Sequence, residues 1–332
     1  MLISWNSTNQ CNMFCDHCYR DAGARLEEEL TTEQGKKLIR EIAQAGFKIM
    51  IFSGGEPLMR PDLFELGAYA REQGLRPVLG TNGTLITVQA AAKLKEAGFM
   101  AAAVSMDSME PGKYDTFRRL EGSHVMALEG INNLKQAGIA VQINTTVMDW
   151  NVGELEAIID FAEGIKAMGH HMLFLVPTGR AVNIEEEALR VVEYEKTIAR
   201  LMEKQKTTKM EIKPTCAPQF MRVADKKGIS VRFNRGCLAG ISYCIISPKG
   251  DVQPCAYLNI PLGNVKDEPF DVIWRENAML QELRSCAYKG KCGICDYRDK
   301  CGGCRARAYY YSGGDYMAED EWCLYHPGGR PS

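Results

Sequence analysis

The distribution of the thirteen cysteines constrains this 332-residue chain more than any other feature of its sequence. Three lie within the first eighteen residues, none follows for almost two hundred residues, and ten lie between Cys216 and Cys323. This density is far below that of a small disulfide-stabilised secreted protein. Clustered cysteines in a larger chain more often bind metal or carry out redox chemistry. The pattern therefore predicts two cysteine-dependent regions, one at each end of the chain.

The remaining composition indicates a globular protein of one large domain or two smaller ones. Hydrophobic residues make up 45% and charged residues 25% of the chain, which excludes wholesale disorder. A net charge of -2 lacks the basic excess of a general nucleic-acid binder. No apolar run reaches the ~18–20 residues of a membrane span, and residues 1–10 do not resemble a signal peptide. We therefore expect a cytoplasmic protein that binds neither nucleic acid nor a membrane.

Between the two cysteine groups, short apolar runs alternate with stretches of helical period, which predicts a parallel α/β sheet. Six units are too few for a closed eight-unit barrel, so an open six-strand barrel and a doubly wound sheet remain as alternatives. The predicted strands are Leu2–Trp5, Ile49–Phe52, Pro77–Gly80, Ala101–Ser105, Val141–Thr145 and Met172–Val176. The predicted helices are Thr32–Ala45, Asp62–Gln73, Val88–Ala97, Val125–Gln136 and Gly153–Met168.

The pattern changes after residue 180, and this change divides the chain into three parts. Residues 1–180 form the α/β region, 181–236 a linking region, and 237–326 a small region rich in glycine and cysteine. The elements expected beyond residue 180 are a charged helix over Glu185–Lys206, an irregular stretch over 211–236, short strands over Tyr243–Ser247 and Asp251–Pro254, one helix over Phe270–Leu283 and a frayed tail over 326–332.

Cys11, Cys15 and Cys18 form the spacing CxxxCxxC directly after the first predicted strand. Three thiolates on one short loop can bind three irons of a 4Fe–4S cluster and leave the fourth iron open to a substrate or cofactor. The alternative is a zinc site completed by His17 or by a remote residue.

Polar and glycine-rich segments follow the later strands. In the segment SGGEP, glycines let the backbone approach a ligand, and Glu56 supplies a carboxylate for an ammonium group. The carboxyl ends of parallel barrel strands meet on one face, so these segments are expected to surround a ligand site there. The segments are Ser53–Pro57, Thr81–Gly83, Ser105 with Asp107, Asn144–Thr146 and Pro177–Gly179.

CxxxCxxC followed by Tyr19, then GGEP, TNG and SxD at successive strand ends, resembles the radical SAM superfamily over residues 1–180. The resemblance implies a partial (β/α)6 TIM barrel and a 4Fe–4S cluster whose open iron binds S-adenosylmethionine. One electron from the cluster then releases a 5′-deoxyadenosyl radical, which abstracts hydrogen from the substrate. Besides Cys11, Cys15 and Cys18 as cluster ligands, the implied cofactor contacts are Tyr19 at the adenine, Gly54, Gly55 and Glu56 at the ammonium, Asn82 on the same face, Ser105 and Asp107 at the ribose, and Arg118 or Arg119 at the carboxylate.

Eight of the later cysteines are enough to saturate two iron–sulfur clusters or, alternatively, two structural zinc ions. Their region resembles the SPASM extension of radical SAM enzymes, which carries two auxiliary 4Fe–4S clusters, making three in all. The last pair, Cys301 and Cys304, is separated by two residues where that family more often has three. The resemblance implies one set of Cys237, Cys244, Cys255 and Cys304 and another of Cys292, Cys295, Cys301 and Cys323.

Two cysteines remain outside these sets. Cys286 lies at a helix end and is expected to be structural. Cys216 lies in KPTCAP, in the linking region, where its thiol is a candidate catalytic group that donates hydrogen or ligates a metal in the substrate. A purely structural role is the alternative, and full turnover by Cys216→Ala would exclude the catalytic one.

Longer phrases, such as FLVPTGR and KPTCAPQF, resemble the radical SAM proteins of d-type heme and siroheme-dependent alternative heme biosynthesis. This resemblance implies an iron tetrapyrrole substrate, derived from siroheme, that loses carbon from an acetate or propionate side chain. Flavodoxin or ferredoxin is the expected electron donor. Arginines grip carboxylates well, and the candidates for this role are Arg180, Arg222, Arg232 and Arg235.

Two other functions compete with this one. Related SPASM enzymes modify peptides or proteins, but they often carry an N-terminal peptide-recognition domain, whereas this sequence starts with its first predicted strand. A non-enzymatic electron carrier or zinc scaffold is the second alternative. The presence of GGEP together with an intact CxxxCxxC argues against it.

Overall fold

A computed structural model of the protein describes residues 1–328, so part of the predicted tail, residues 329–332, lies outside the described residues. The strands are β1 (Leu2–Thr8), β2 (Ile49–Gly54), β3 (Arg76–Thr81), β4 (Ala101–Ser105), β5 (Ala140–Val147), β6 (Gly169–Phe174), β7 (Glu211–Thr215), β8 (Tyr243–Ile246) and β9 (Val252–Gln253). They form one sheet in the order β7-β6-β5-β4-β3-β2-β1-β8-β9.

The helices of the described chain connect the strands or cover the cysteine-rich region. They are α1 (Thr32–Gln44), α2 (Leu63–Glu72), α3 (Val88–Glu96), α4 (Pro111–Arg118), α5 (Ser123–Gln136), α6 (Leu155–Gly164), α7 (Val191–Gln205), α8 (Phe220–Lys226), α9 (Phe270–Glu276), α10 (Ala278–Ser285), α11 (Gly290–Gly293) and α12 (Arg305–Tyr311). Short 3-10 turns span Pro57–Met59, Val152–Glu154 and Gly179–Glu187.

The six predicted strands are confirmed as β1 to β6, all parallel and paired in chain order. A doubly wound sheet would reverse its strand order at an internal switch point, whereas these six run in one direction, as in a partial barrel. Apolar side chains of the strands pack under the helices, and Trp5 and Phe52 are fully buried. This packing fixes the strand register and therefore the strand ends that carry the polar segments.

Three predictions beyond residue 180 need correction. The stretch 211–236, expected to be irregular, contains β7, which adds a parallel strand beside β6, and α8. The charged helix begins at Val191 rather than at Glu185, because a 3-10 turn ends at Glu187. The expected single helix over Phe270–Leu283 is broken at Asn277, whose side chain accepts hydrogen bonds from the first backbone N–H groups of α10.

Strand β8 joins the cysteine-rich region to the barrel. It pairs in parallel with β1, so that Ile3 lies beside Cys244 and Trp5 beside Ile246, and it forms an antiparallel hairpin with β9. Because β1 leads directly into CxxxCxxC, this pairing brings the two cysteine regions, more than two hundred residues apart in sequence, to neighbouring positions.

Across residues 1–328, no helix is long and apolar enough to cross a membrane.

Candidate functional site

A cavity of about 190 Å³ opens at the carboxyl ends of the barrel strands. All three cysteines of CxxxCxxC line it, together with polar residues from the ends of β2 to β5 and side chains from β6. Its lining includes the predicted contacts Tyr19, Gly54, Gly55, Asn82, Ser105 and Arg118. Four of the five predicted strand-end segments contribute residues to this lining, and Pro177–Gly179 does not.

The cysteine loop is held in place by Arg180. Its Nε donates to the carbonyl oxygen of Cys15 at 2.9 Å, another nitrogen contacts Asp21 at 2.7 Å, and its guanidinium lies 3.8 Å from the centre of the Phe14 ring. These contacts fix the backbone of the loop while its thiols face the cavity. Arg180 therefore braces the cysteine loop and is already engaged, which differs from its predicted role as a free grip for substrate carboxylates.

Burial disfavours the thiolate form of two cysteines of this loop in the absence of metal. Burial raises the pKa of Cys11 to about 11 and also raises the pKa of Cys15, whose sulfur receives a contact from Arg118 at 3.9 Å. A bound iron would replace the proton, because a coordinated thiol is a thiolate. The three thiols, the cavity beside them and the absence of a fourth cysteine on this loop fit a 4Fe–4S cluster with one open iron.

Gly54 and Gly55 let the SGGEP loop lie against the backbone below the cysteines. A Cβ on Gly54 would lie 2.3 Å from the carbonyl oxygen of Thr8, and one on Gly55 would lie 2.3 Å from that of Gln10. Gly54 also has a φ of +140°, a backbone conformation that residues other than glycine rarely adopt. Both glycines line the cavity, so backbone rather than side chains forms this wall.

Glu56 does not line the cavity, although its predicted partner is the ammonium of S-adenosylmethionine. Its carboxylate is fully buried and accepts hydrogen bonds from the Thr81 hydroxyl and from the backbone N–H groups of Asn82 and Leu58. Burial raises its pKa to about 7. The structure therefore shows Glu56 tying the ends of β2 and β3 together.

The two candidate arginines occupy different environments. Arg118 is buried, lines the cavity, and donates from Nε to the Asp107 carboxylate at 2.7 Å. Arg119 is largely exposed and pairs with Asp16 at 2.9 Å, away from the cavity lining. Of the two, Arg118 is placed to meet a carboxylate in the cavity. Asp107 lies behind it, fully buried, and does not reach the cavity as predicted for a ribose contact.

Two aromatic residues that line the cavity were not predicted to contact the cofactor, although His17 was considered as a zinc ligand. His17 lies within the cysteine motif and stacks on Phe117 at 4.2 Å between ring centres. Tyr257 comes from the cysteine-rich region and packs against Tyr19 at 5.3 Å. The position of His17 inside CxxxCxxC was an available signal. Tyr257 reaches the cavity only because β8 pairs with β1, which no local pattern indicates.

A second, smaller cavity of about 20 Å³ lies in the cysteine-rich region. Its lining includes Arg222, which is paired with Glu195 at 2.7 Å and so is not a free grip for substrate. The thiols that line it are those of Cys292, Cys295, Cys301 and Cys323. These are the four cysteines of one predicted set, brought together from α11, from the turns that follow it and from the segment after α12.

The other predicted set is only partly assembled. Cys255 and Cys304 pack together in a small buried cluster with Val176 and Leu258. Cys244, by contrast, is fully buried in the main core on the same sheet face as Ile3, and Arg284 is its charged neighbour. Alternation along β8 directs the flanking Tyr243 to the other face, where its hydroxyl donates to Ser4. The structure therefore does not bring Cys244 to the set in which it was predicted.

Within residues 1–328, no three His, Cys, Asp or Glu side chains are arranged to hold a single metal ion. A four-iron cluster does not need such an arrangement, since each thiolate binds a different iron. The two remaining arginines that were predicted to bind substrate carboxylates do not line the main cavity. Arg235 donates to the Cys237 carbonyl oxygen and to the Tyr288 hydroxyl, and Arg232 is exposed.

Comparisons with known proteins agree with this geometry. Residues 5–162 match the Radical SAM superfamily, and residues 237–305 match the SPASM iron-sulfur cluster-binding domain. The AdoMet-dependent heme synthase of Nitratidesulfovibrio vulgaris is 41% identical over 340 residues, covering 98% of this chain and 92% of that protein. The AdoMet-dependent heme synthase of Methanosarcina barkeri is 40% identical over 341 residues, covering 98% and 97%.

A solved structure shares the fold. Streptococcus suis SuiB bound to the precursor peptide SuiA superposes with a TM-score of 0.77 at 15% identity, covering 98% of this chain and 76% of that one. At that identity the likeness concerns the fold alone. The cysteine loop, the cavity beside it and the likeness over nearly the whole chain lead to one conclusion: the protein belongs to the radical SAM superfamily, as an enzyme with a C-terminal SPASM domain that uses S-adenosylmethionine and iron–sulfur clusters.

Proposed function

We propose that this enzyme acts in heme biosynthesis and removes carbon from carboxylate side chains of an iron tetrapyrrole derived from siroheme. The observation that carries the proposal is the likeness, at 40–41% identity over 98% of the chain, to proteins named AdoMet-dependent heme synthases. The cavity beside the three thiols is open enough to admit a substrate to the cofactor, which is what hydrogen abstraction requires.

The residues around the cavity have separate tasks in this proposal. Cys11, Cys15 and Cys18 hold the cluster, and the backbone of Gly54 and Gly55 forms the wall against which the methionyl part rests. Arg118, oriented by Asp107, pairs with the methionyl carboxylate. When bound, the cluster and S-adenosylmethionine supply a 5′-deoxyadenosyl radical that takes a hydrogen atom from the substrate.

The Tyr19 hydroxyl donates to Asn6 at 3.0 Å, and its ring, which lines the cavity, would contact the adenine. Ser105 offers a hydroxyl to the ribose from the end of β4. Ordered polar groups of this kind fix the position of a reactive fragment, and a misplacement of about 1 Å can reduce the rate about 100-fold. These two residues would therefore fix the position of the adenosyl part of the cofactor in the cavity.

Conversion of a propionate side chain to a vinyl group begins with the loss of one hydrogen atom. The bond to the carboxyl carbon then breaks, and carbon dioxide is released. One electron is left over and must pass to an acceptor. We propose that two saturated auxiliary 4Fe–4S clusters, three clusters in all, carry electrons in this step, and that flavodoxin or ferredoxin donates the electron that starts it. A cytoplasmic location remains a prediction.

The test is anaerobic turnover of the reconstituted enzyme with S-adenosylmethionine, a reductant and a siroheme-derived iron tetrapyrrole bearing propionate chains. We expect 5′-deoxyadenosine, carbon dioxide and a tetrapyrrole of lower mass in fixed ratio. Formation of 5′-deoxyadenosine with an unchanged tetrapyrrole would contradict the proposal and would turn attention to the alternative, a peptide or protein maturase.

A further inference from the structure

The thiol of Cys216 lies beside the incomplete set of auxiliary thiols. Cys216 packs at the edge of the small buried cluster that contains Cys304, and Cys255 packs at the same cluster. The thiols of Cys216 and Cys304 are neighbours that influence each other's pKa, and the Cys255 thiol is close enough to act on both electrostatically. Cys237 is in turn an electrostatic neighbour of Cys304 and Cys255.

The backbone of Cys216 is fixed by the same buried pair that holds Cys304. Arg307 donates to the carbonyl oxygen of Cys216 and contacts the Asp320 carboxylate at 3.4 Å, with both side chains fully buried. Asp320 accepts a hydrogen bond from the backbone N–H of Cys304 at 2.8 Å. One buried ion pair therefore sets the distance between the turn that carries Cys216 and the loop that carries Cys304.

The turn itself is unusual. Cys216 directly follows β7 and has a φ of +58°, the left-handed region that residues other than glycine and asparagine seldom adopt. Strain of this kind persists where the surroundings impose it and is concentrated at functional sites. Here the conformation brings the Cys216 side chain to the buried cluster that contains Cys304.

Cys244 has the opposite disposition. It lies in β8 on the face that packs in the main core, with Ile3 as its neighbour on β1. A strand sends successive side chains to opposite faces, so Cys244 cannot turn to the Tyr243 face without a slip in register. Such a slip would also expose Ile246, which is fully buried.

From this geometry we propose that Cys216, in place of Cys244, joins Cys237, Cys255 and Cys304 as the fourth ligand of an auxiliary iron–sulfur cluster. The inference rests on the clusters of the proposed function, though not on the tetrapyrrole substrate. It makes Cys244 a core residue and replaces the hydrogen-donor role considered for Cys216. The site lies next to the main cavity, because Tyr257, two residues after Cys255, packs on Tyr19.

The test compares Cys216→Ala with Cys244→Ala, both reconstituted anaerobically beside the wild-type protein. Iron and sulfide per chain and the electron paramagnetic resonance spectrum of the reduced protein are measured, which needs no turnover. We expect Cys216→Ala to lose up to about four irons, or to give the spectrum of an incomplete cluster, while Cys244→Ala keeps the wild-type iron content. Wild-type iron and spectrum in Cys216→Ala, or a cluster lost in Cys244→Ala with folding intact, would overturn the assignment.

A second variant, Cys216→Ser, distinguishes loss of a cluster ligand from failure of the Cys216→Ala protein to fold. Cys216→Ser keeps an oxygen ligand at the same position, so we expect a retained cluster with a shifted spectrum, whereas a spectrum identical to wild type would contradict the proposal. The outcomes also separate the two proposals. A wild-type protein that takes up only about four irons would refute the auxiliary clusters themselves, and a full count with no tetrapyrrole turnover would refute only the substrate.

Discussion

The two cysteine regions differ in how much space they leave around their thiols. The three cysteines of CxxxCxxC face a cavity of about 190 Å³, whereas Cys292, Cys295, Cys301 and Cys323 surround a pocket of about 20 Å³. An iron without a protein ligand is useful only where a small molecule can reach it, and four thiols in a narrow pocket leave no such place. From this difference we expect the first region to bind a cofactor at an open iron and the second to transfer electrons.

The largest expected effect is in the barrel. Cys18→Ala leaves two thiols on the loop, so we expect about four irons fewer per chain and no 5′-deoxyadenosine formation. Cys286→Ala is the matched control, because Cys286 lies at the end of α10 and lines neither cavity. Cleavage of S-adenosylmethionine by Cys18→Ala at the control rate would remove the distinction between the two regions.

A smaller, selective effect is expected in the second region. Cys295→Ala should also lose about four irons, yet keep S-adenosylmethionine binding and reductive cleavage, since none of the four thiols of its pocket lines the main cavity. Conversion of the substrate should fall much more than release of 5′-deoxyadenosine. Equal loss of substrate conversion and of 5′-deoxyadenosine release would contradict the separate roles expected for the two cysteine regions.

The ion pair behind the cavity allows a comparison within the barrel. Asp107→Asn leaves the buried Arg118 without its counter-charge, and breaking a buried pair costs about 3–5 kcal/mol of unfolding free energy. Arg119→Ala, which breaks the exposed pair with Asp16, should leave the free energy of unfolding almost unchanged, because water and salt screen an exposed pair. Urea unfolding measures the difference, and S-adenosylmethionine titration should show weaker binding for Asp107→Asn alone. Equal effects of the two substitutions would contradict the assignment of Arg118 to the cofactor carboxylate.

The smallest effect concerns Tyr19. Tyr19→Phe keeps the ring but removes the hydrogen bond to Asn6, worth about 1 kcal/mol. We expect a modest rise in the KM for S-adenosylmethionine with little change in iron content. Loss of the cluster in this variant would mean that the hydroxyl supports the cysteine loop rather than the adenine side.

The barrel was largely predictable from sequence because its strands contain short apolar runs rich in strand-forming residues, which alternate with stretches of clear helical period. β7 was missed because charged Glu211 and Lys213 alternate with buried Ile212 and Pro214, so a half-buried edge strand looked irregular. The break at Asn277 was missed because apolar residues on both sides share one helical period. Only the hydrogen bonds from the start of α10 reveal the cap.

The same contrast applies to the site. Ser105, Asn144 and Thr146 were expected to share one face because parallel strands end together, and they line the cavity. Hydrogen bonds and ion pairs decide whether a strand-end carboxylate faces the cavity or lies behind its wall, and the sequence does not show them. Glu56 and Asp107 were therefore predicted to contact the cofactor, whereas both are buried behind the cavity lining. In the cysteine-rich region the thiols come from loops and from one strand, where pairing with β1 decides which way Cys244 points.

We expect these two regions to hold three clusters, one with an open iron in the barrel and two with all irons bound by cysteines in the cysteine-rich region. The most direct test is Mössbauer spectroscopy of protein reconstituted with isotopically enriched iron, recorded without and with S-adenosylmethionine. For this arrangement we expect about twelve irons per chain, and addition of the cofactor should change the spectrum of only the four irons of the cluster in the barrel. About four irons with two zinc ions, or a spectrum that S-adenosylmethionine leaves unchanged, would contradict it.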